Sequence, residues 1–541
     1  MSEAFQRLAQ NFAPMEKVPG SSLPVNSRQI KSWINELPRG NPSQTAEMLS
    51  SSLVSSLAEK LSGTTRLNQL EEVRKVVVDA ITWLERQFIG TTMPFVRERL
   101  AYAQMALTLH TALADSYRLA CYEICSPQGA IPMLKTASVN TALHRSIWHY
   151  QQSLTLSWKL YRSSITNVWL GIHRIYQFAK QLKLEKKAID DPLIPTPVSI
   201  HDLYCQIALV SVINPYSFAQ TEQDNLNKLA MAYASQCSIG VNQLTEQWTK
   251  IPIDADLPVN CNLPDEQVFF FSFQELTNAV NELELTTDSD TAELKLIDGK
   301  IISFPVSLML KVRRNLGLTT ARGFTRHFNK YSIETIVGLN TIHYFASGGL
   351  DFDTFIQQLP QASVQGLSIS ANWLNQGGES ASQRAINAEV LDHSLAGYRI
   401  IWENEPTLRV RVGEVLGLNI MHPEADWMVG IIRWLQYEQN GSVVAGVELL
   451  TRRCQSVVLT NQQSAQSNVV FRGLELEPLD EHLPLQFLIS GRQQNQNLNQ
   501  KIEVFYSNDP NRIGNQRTSS TIESQSNTLS SNLEYTLLVA E

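Results

Sequence analysis

Cysteine is scarce in this chain of 541 residues. Cys121, Cys125, Cys205, Cys237, Cys261 and Cys454 are too scattered for a disulfide framework or a zinc site, and Cys121 with Cys125 reads as two small buried residues in a reducing compartment. Apolar runs are short: none reaches the roughly 18 residues of a membrane span, and Met1-Ser-Glu-Ala has no apolar leader core. A soluble, cytoplasmic protein without a membrane span is expected. Positive charge is not in excess either. A net charge of −8 repels DNA and RNA, so an anionic ligand needs a local basic patch. Phosphate-binding glycine loops, zinc-protease and nucleophile-elbow motifs are all missing, and His144, His149 and His173 lie in helical stripes where core histidines outnumber ligands. The expected protein is not an enzyme and takes no cofactor or metal.

What is present suffices for ordinary globular cores: 43% of residues are apolar and 18% charged. At roughly 100 to 200 residues per domain, three or four units fit this length. The expected fold class is α+β multidomain: an all-α N-terminal bundle or superhelix, a small α/β connector and a C-terminal antiparallel β-barrel with added strands.

Residues 1–43 read as an N-terminal extension and 44–250 as the helical domain. Leu67, Leu70, Val77, Ile81, Leu84 and Phe88 recur at helical spacing up to a stop at Gly90, and a second stripe runs from Leu154 to Tyr176. The proline-rich stretch 190–197 breaks the helical run. The connector, 262–318, contains a hairpin turn at Asp298-Gly299. Strands dominate from about 331, including 397–402, 408–418, 427–437, 443–450 and 456–459, and the barrel is set at 319–480. Residues 345–384 and 507–532 read as flexible loops, and the strands of 481–541 end in a returning one at 533–539.

The chemical signal begins with another absence. No acid occurs between 299 and 333, a window holding Lys300, Lys311, Arg313, Arg314, Arg322, Arg326 and Lys330. This is either a local anion trap or the solvated face of a basic helix at 308–316. Within it Arg322-Gly-Phe-Thr-Arg326 sets two guanidinium forks close together, able to grip phosphate or the O6/N7 edge of guanine. Further on, Asp392-His-Ser-Leu-Ala-Gly397 puts a carboxylate and a hydroxyl on one face of an extended strand, with Gly397 permitting positive φ or close backbone approach. That segment also reads as a plain turn between strands.

R-x-x-x-R followed by D-x-S-x-x-G and then a barrel resembles the PilZ domain, the common cyclic di-GMP receptor of bacteria. The downstream strands resemble it too, at Arg411–Leu418, Trp427–Trp434 and Ala445–Leu449. The resemblance implies that Arg322 and Arg326 contact guanine and phosphate from a mobile loop, and that Asp392, Ser394 and Gly397 form the floor. It also implies that Ala321, before the first arginine, favours one ligand over a stacked pair. Arg326 and Asp392 stand 66 positions apart, a longer interval than the family's, which the insertion at 345–384 explains; Arg313, Arg314 and Arg384 are reserve candidates. Cyclic di-GMP is the expected ligand, with a protein partner on the helical domain and control of motility, adhesion or biofilm as output. The alternative is an interaction adaptor whose degenerate PilZ-like barrel binds no nucleotide.

Overall fold

The computed structural model describes residues 2–15, 22–90, 95–243, 245–259, 263–264, 267–283, 291–317, 325–359, 384–403, 405–420, 426–438, 440–461, 469–480, 482–490, 501–506, 519–528 and 535–540. Cys261, Ala321 and Arg322 lie outside them. The chain divides into two units, Met1–Glu284 with Ala292–Phe304 and Lys311–Thr319, and Leu285–Thr291 with Pro305–Leu310 and Thr320–Glu541.

The first unit opens with α1 (Glu3–Leu8), α2 (Ser27–Glu36), α3 (Pro42–Ser56), α4 (Gly63–Glu85), α5 (Arg97–Cys125), α6 (Thr136–Lys159), α7 (Val168–Gln181), α8 (Ile200–Ile213) and α9 (Gln220–Ala234). Their starts carry the expected chemistry: Ser62 caps α4, and Ser199 and Asp202 form a reciprocal capping box on α8. The stripe expected through Leu154 to Tyr176 is interrupted at 160–167, where Tyr161 and Asn167 take positive φ and separate α6 from α7. The first residues are not peripheral. Phe5 is buried against the Tyr122 and Phe178 rings, and Arg174 donates to the carbonyls of Arg7 and Gln10.

After α9 come β1 (Ser238–Gly240), β2 (Trp248–Pro252) and β3 (Val268–Ser272), a sheet ordered β1-β3-β2. Helix α10 (Gln274–Glu282) follows, then the hairpin β4 (Thr291–Lys295) and β5 (Ile301–Pro305) with Gly299 at φ +82°, then α11 (Val306–Asn315). Among the described residues no helix is long and apolar enough to cross a membrane.

The second unit holds two closed antiparallel barrels. The first comprises β6 (Tyr331–Val337), β7 (Ile386–Ser394), β8 (Gly397–Trp402), β9 (Val415–Asn419), β10 (Met428–Tyr437) and β11 (Val443–Thr451); α12 (Leu339–Ala346) and α13 (Phe352–Gln357) lie between β6 and β7. The second comprises β12 (Cys454–Asn461), β13 (Val469–Leu476), β14 (Gln486–Ser490), β15 (Lys501–Tyr506), β16 (Ser519–Thr528) and β17 (Tyr535–Ala540). The strands expected as additions to one barrel thus close into another, which also takes the strand expected at 456–459.

Two loop expectations need correction. Within 345–384, Phe352, Phe355, Ile356 and Leu359 are buried against Val458 and Phe505, so α13 has apolar surface enough to order; 360–383 lies outside the described residues. Within 507–532, β16 pairs with both β15 and β17 through its backbone. The two barrels share a core in which Ile336, Leu339, Ile342, Val415 and Val429 meet Leu474, Leu476, Leu488, Tyr535 and Leu537. At its margin the Tyr535 hydroxyl donates to buried Glu414, which Arg411 also reaches at 3.0 Å.

Candidate functional site

Asp392 belongs to β7, and a bulge decides where it points. Val390 pairs with Ile400, but the next pair is Asp392 with Arg399, so Leu391 is the extra residue. Strict alternation would put Asp392 on the core face with Val390. The slip instead gives it the face of Arg399, the re-aiming that bulges bring about beside functional sites.

Upstream of β6 the chain runs back along the end of β7. His327 N donates to His393 O at 2.8 Å and His393 N to His327 O at 3.1 Å. This backbone bridge brings together two residues 66 positions apart: Arg326 Nη1 donates to Asp392 Oδ1 at 2.8 Å. Arg399 Nη1 stands 3.7 Å from Asp392 Oδ2. The Asp392 side chain is 4% exposed, whereas those of Arg326 and Arg399 are 50% and 45% exposed, so a desolvated carboxylate meets two half-solvated cations.

Ser394 ends β7, and its Oγ accepts from Ala396 N at 3.3 Å across the turn Leu395-Ala396 while keeping a proton to donate. Gly397 is required by close approach rather than by positive φ, since a Cβ there would sit 2.2 Å from the Val447 carbonyl oxygen. The face therefore unites Arg326, Asp392, Ser394 and Gly397; Arg322 lies outside the described residues.

Other described cations of the acid-free window have protein partners of their own. Lys311 pairs with Glu222 at 2.8 Å, Arg313 donates to the carbonyls of Val280 and Leu283, Lys300 pairs with Asp298, and Lys330 with Glu389. Arg313 is thus withdrawn as a reserve anion ligand. The histidine stripes are core: His144, His149 and His173 are buried, and burial first, with nearby arginines for His144, lowers His144 and His173 to about 4.

Sequence reasoning missed two residues of this face. Arg399 follows Gly397 by two positions in β8, so period-two alternation already placed them together. Phe328 follows Arg326 by two, and across the His327–His393 bridge that spacing puts it on the side of Asp392; it is 77% exposed.

A six-stranded antiparallel barrel bearing this face behind a helical domain defines a class. The chain belongs to the PilZ domain family, here with an N-terminal helical domain. Two family models match it: "Cyclic-di-GMP receptor FimW, N-terminal domain" over residues 28–243, and "Cyclic-di-GMP receptor FimW, middle PilZ domain" over 261–375 and 368–456. The second match parts inside the expected insertion. Among curated proteins the chain is similar to the cyclic-di-GMP receptor FimW of Pseudomonas aeruginosa, 23% identical over 500 residues that cover 83% of this chain and 81% of the relative. No solved structure is a significant match.

Proposed function

We propose that the first barrel is a receptor site for cyclic di-GMP, formed by Arg326, Asp392, Ser394 and Gly397, completed by Arg322, and flanked by Arg399 and Phe328. The observation that carries this reading is the Arg326–Asp392 contact, because it joins the two halves of the motif across the inserted segment.

The chemistry is an exchange of partners. Guanine offers N–H donors on its Watson–Crick edge, which replace the Arg326 guanidinium at Asp392 and keep that buried carboxylate paired throughout. The released guanidinium forks onto phosphate, and the Ser394 hydroxyl donates to the same ligand. Three arginines against one carboxylate leave two positive charges, matching a doubly anionic dinucleotide. The Phe328 ring offers a base a face to stack on. Binding adds Arg322 to the face that Arg326 already occupies, and biases the connector and helical domain toward a cytoplasmic protein partner by no more than the ligand's differential affinity for the two arrangements. The output is control of motility, adhesion or biofilm, without catalysis or cofactor.

Titration calorimetry with cyclic di-GMP tests this. Saturable heat is expected from the wild type, weakened at least roughly thirtyfold by Arg326→Ala or Asp392→Ala, the loss of a charged hydrogen-bond partner. No heat from the wild type rejects the receptor and favours the adaptor.

A further inference from the structure

The family models end at residue 456, yet the chain continues through a complete barrel. We infer that 454–540 is a second PilZ-type barrel, a repeat of the first that retains the fold and has lost the ligand face, so that the chain holds one nucleotide site; the last clause rests on the receptor reading above.

Strand order carries the first step. With the six strands of each barrel counted along the sequence, the first ring runs one, two, three, six, five, four and closes on one, and the second ring runs the same way. Chain neighbours explain the pairings of one with two, two with three, four with five and five with six. They do not explain the pairings of three with six and one with four. Those two closures recur as β8 with β11 and β6 with β9 in the first barrel, and as β14 with β17 and β12 with β15 in the second. Every one is antiparallel.

A shared corner carries the second step. In the first barrel the chain entering strand one bridges the end of strand two and sets Arg326 on Asp392. In the second barrel Arg453 immediately precedes strand one and Glu477 immediately follows strand two. Glu477 N donates to Arg453 O at 3.1 Å, and Arg453 Nε stands 3.7 Å from Glu477 Oε2. A basic residue again meets an acid at the same point of the ring.

What differs is the ligand chemistry. The two-residue turn flanked by Ser394 and Gly397 is replaced by the longer connection 477–485, which brings Glu477 and Asp480, and strand three reads Gln486-Phe-Leu-Ile-Ser490 with no counterpart of Arg399. Arg453 is shared besides with Asp426, 2.5 Å away. Carboxylates here outnumber the guanidinium, and such a corner repels a dianion. The repeat is held to the working barrel by the common core of Ile336, Ile342, Leu474 and Leu488.

The test is binding stoichiometry on the full chain with cyclic di-GMP. Asp392→Ala is expected to remove all saturable binding, and Arg453→Ala or Glu477→Ala to leave affinity within about twofold. Two equivalents per chain that both vanish in Asp392→Ala describe one site holding a stacked pair and support the inference. Residual saturable binding in Asp392→Ala that disappears on adding Arg453→Ala overturns it. Absence of binding by the wild type rejects the receptor reading itself, an outcome separate from a surviving second site.

Discussion

Asp191 and Asp392 each face two arginines, in opposite states of solvation. In the helical unit Asp191 receives both Nη atoms of Arg74, at 2.7 and 2.8 Å, and Nη1 of Arg145 at 2.7 Å. The three side chains are 0%, 5% and 4% exposed. Arg74 further donates to His149 and Arg145 to the Asp190 carbonyl. In the barrel Asp392 is as dry as Asp191, but its arginines are half in water and only one makes a hydrogen bond to it. Composition is the same, so the solvation of the cations decides the role. A guanidinium that loses its partner in the core has nowhere to go, whereas Arg326 can turn into solvent or onto a ligand at little cost.

Removing each carboxylate breaks that comparison most sharply. Asp191→Asn leaves two buried guanidiniums short of counter-charge and should lower the stability of the helical unit by about 3–5 kcal/mol. Asp392→Asn should cost under about 1 kcal/mol, since its partners are already solvated. Urea unfolding of both variants, followed by far-ultraviolet circular dichroism, checks the contrast; equal losses would show that Asp392 is structural.

Acid should separate the two units next. Burial, aided by Arg74, lowers His110 to about 3, while His144 and His173 fall to about 4 and His149 lies well below its ordinary value. Between those values and about 6.5 the unfolded chain binds protons that the folded one does not. Stability therefore rises with pH across that window and is lost toward its acid end, by about 1 kcal/mol per pH unit for each histidine. Asp191 adds to the loss lower down: burial would raise its pKa, but the Arg74 hydrogen bond and charge outweigh this and lower it, so its contribution fades only as the pH falls through the folded value. The barrel unit has its own buried histidine, His343, lowered to about 3 by burial and then by Arg472, but the helical unit holds the four named above, so helical ellipticity should fall at a milder acid pH than the near-ultraviolet signal of the barrel tryptophans Trp402 and Trp434.

The barrel was legible where strands are β-branched and well bounded, as in Gly397–Trp402 and Val443–Thr451. It was illegible where tertiary pairing overrides composition: Ser519–Thr528 is polar and becomes a strand because β15 and β17 need a neighbour between them. The motif residues were legible as residue types, but the bulge at Leu391 that aims Asp392 leaves no local mark. The second barrel was hidden because its identity lies in ring order, which no single segment encodes. The buried Asp191 cluster was hidden for a related reason, since Arg74, Arg145 and Asp191 converge from three distant stretches and the proline-rich stretch around Asp191 reads only as a break.

Aromatic rings extend the contrast between the two carboxylate sites. In the helical unit Arg74, one of the two arginines on Asp191, is already stacked, 4.8 Å from the Trp148 ring centroid, and Arg118 elsewhere in the unit lies 4.1 Å from that of Phe12, so those ring faces are taken. Beside Asp392 the ring of Phe328 is exposed. Exposed aromatic surface next to half-solvated arginines contributes little to folding and is available to a base. Phe328→Ala should therefore leave unfolding nearly unchanged while weakening cyclic di-GMP about tenfold, the lower end of what one base stack contributes. Phe328→Tyr keeps the ring and should restore affinity. Calorimetry on the pair, alongside thermal melts, separates the outcomes: unchanged affinity in Phe328→Ala with wild-type binding intact would show that the base finds its stacking surface elsewhere, on the planes of Arg326 or Arg399.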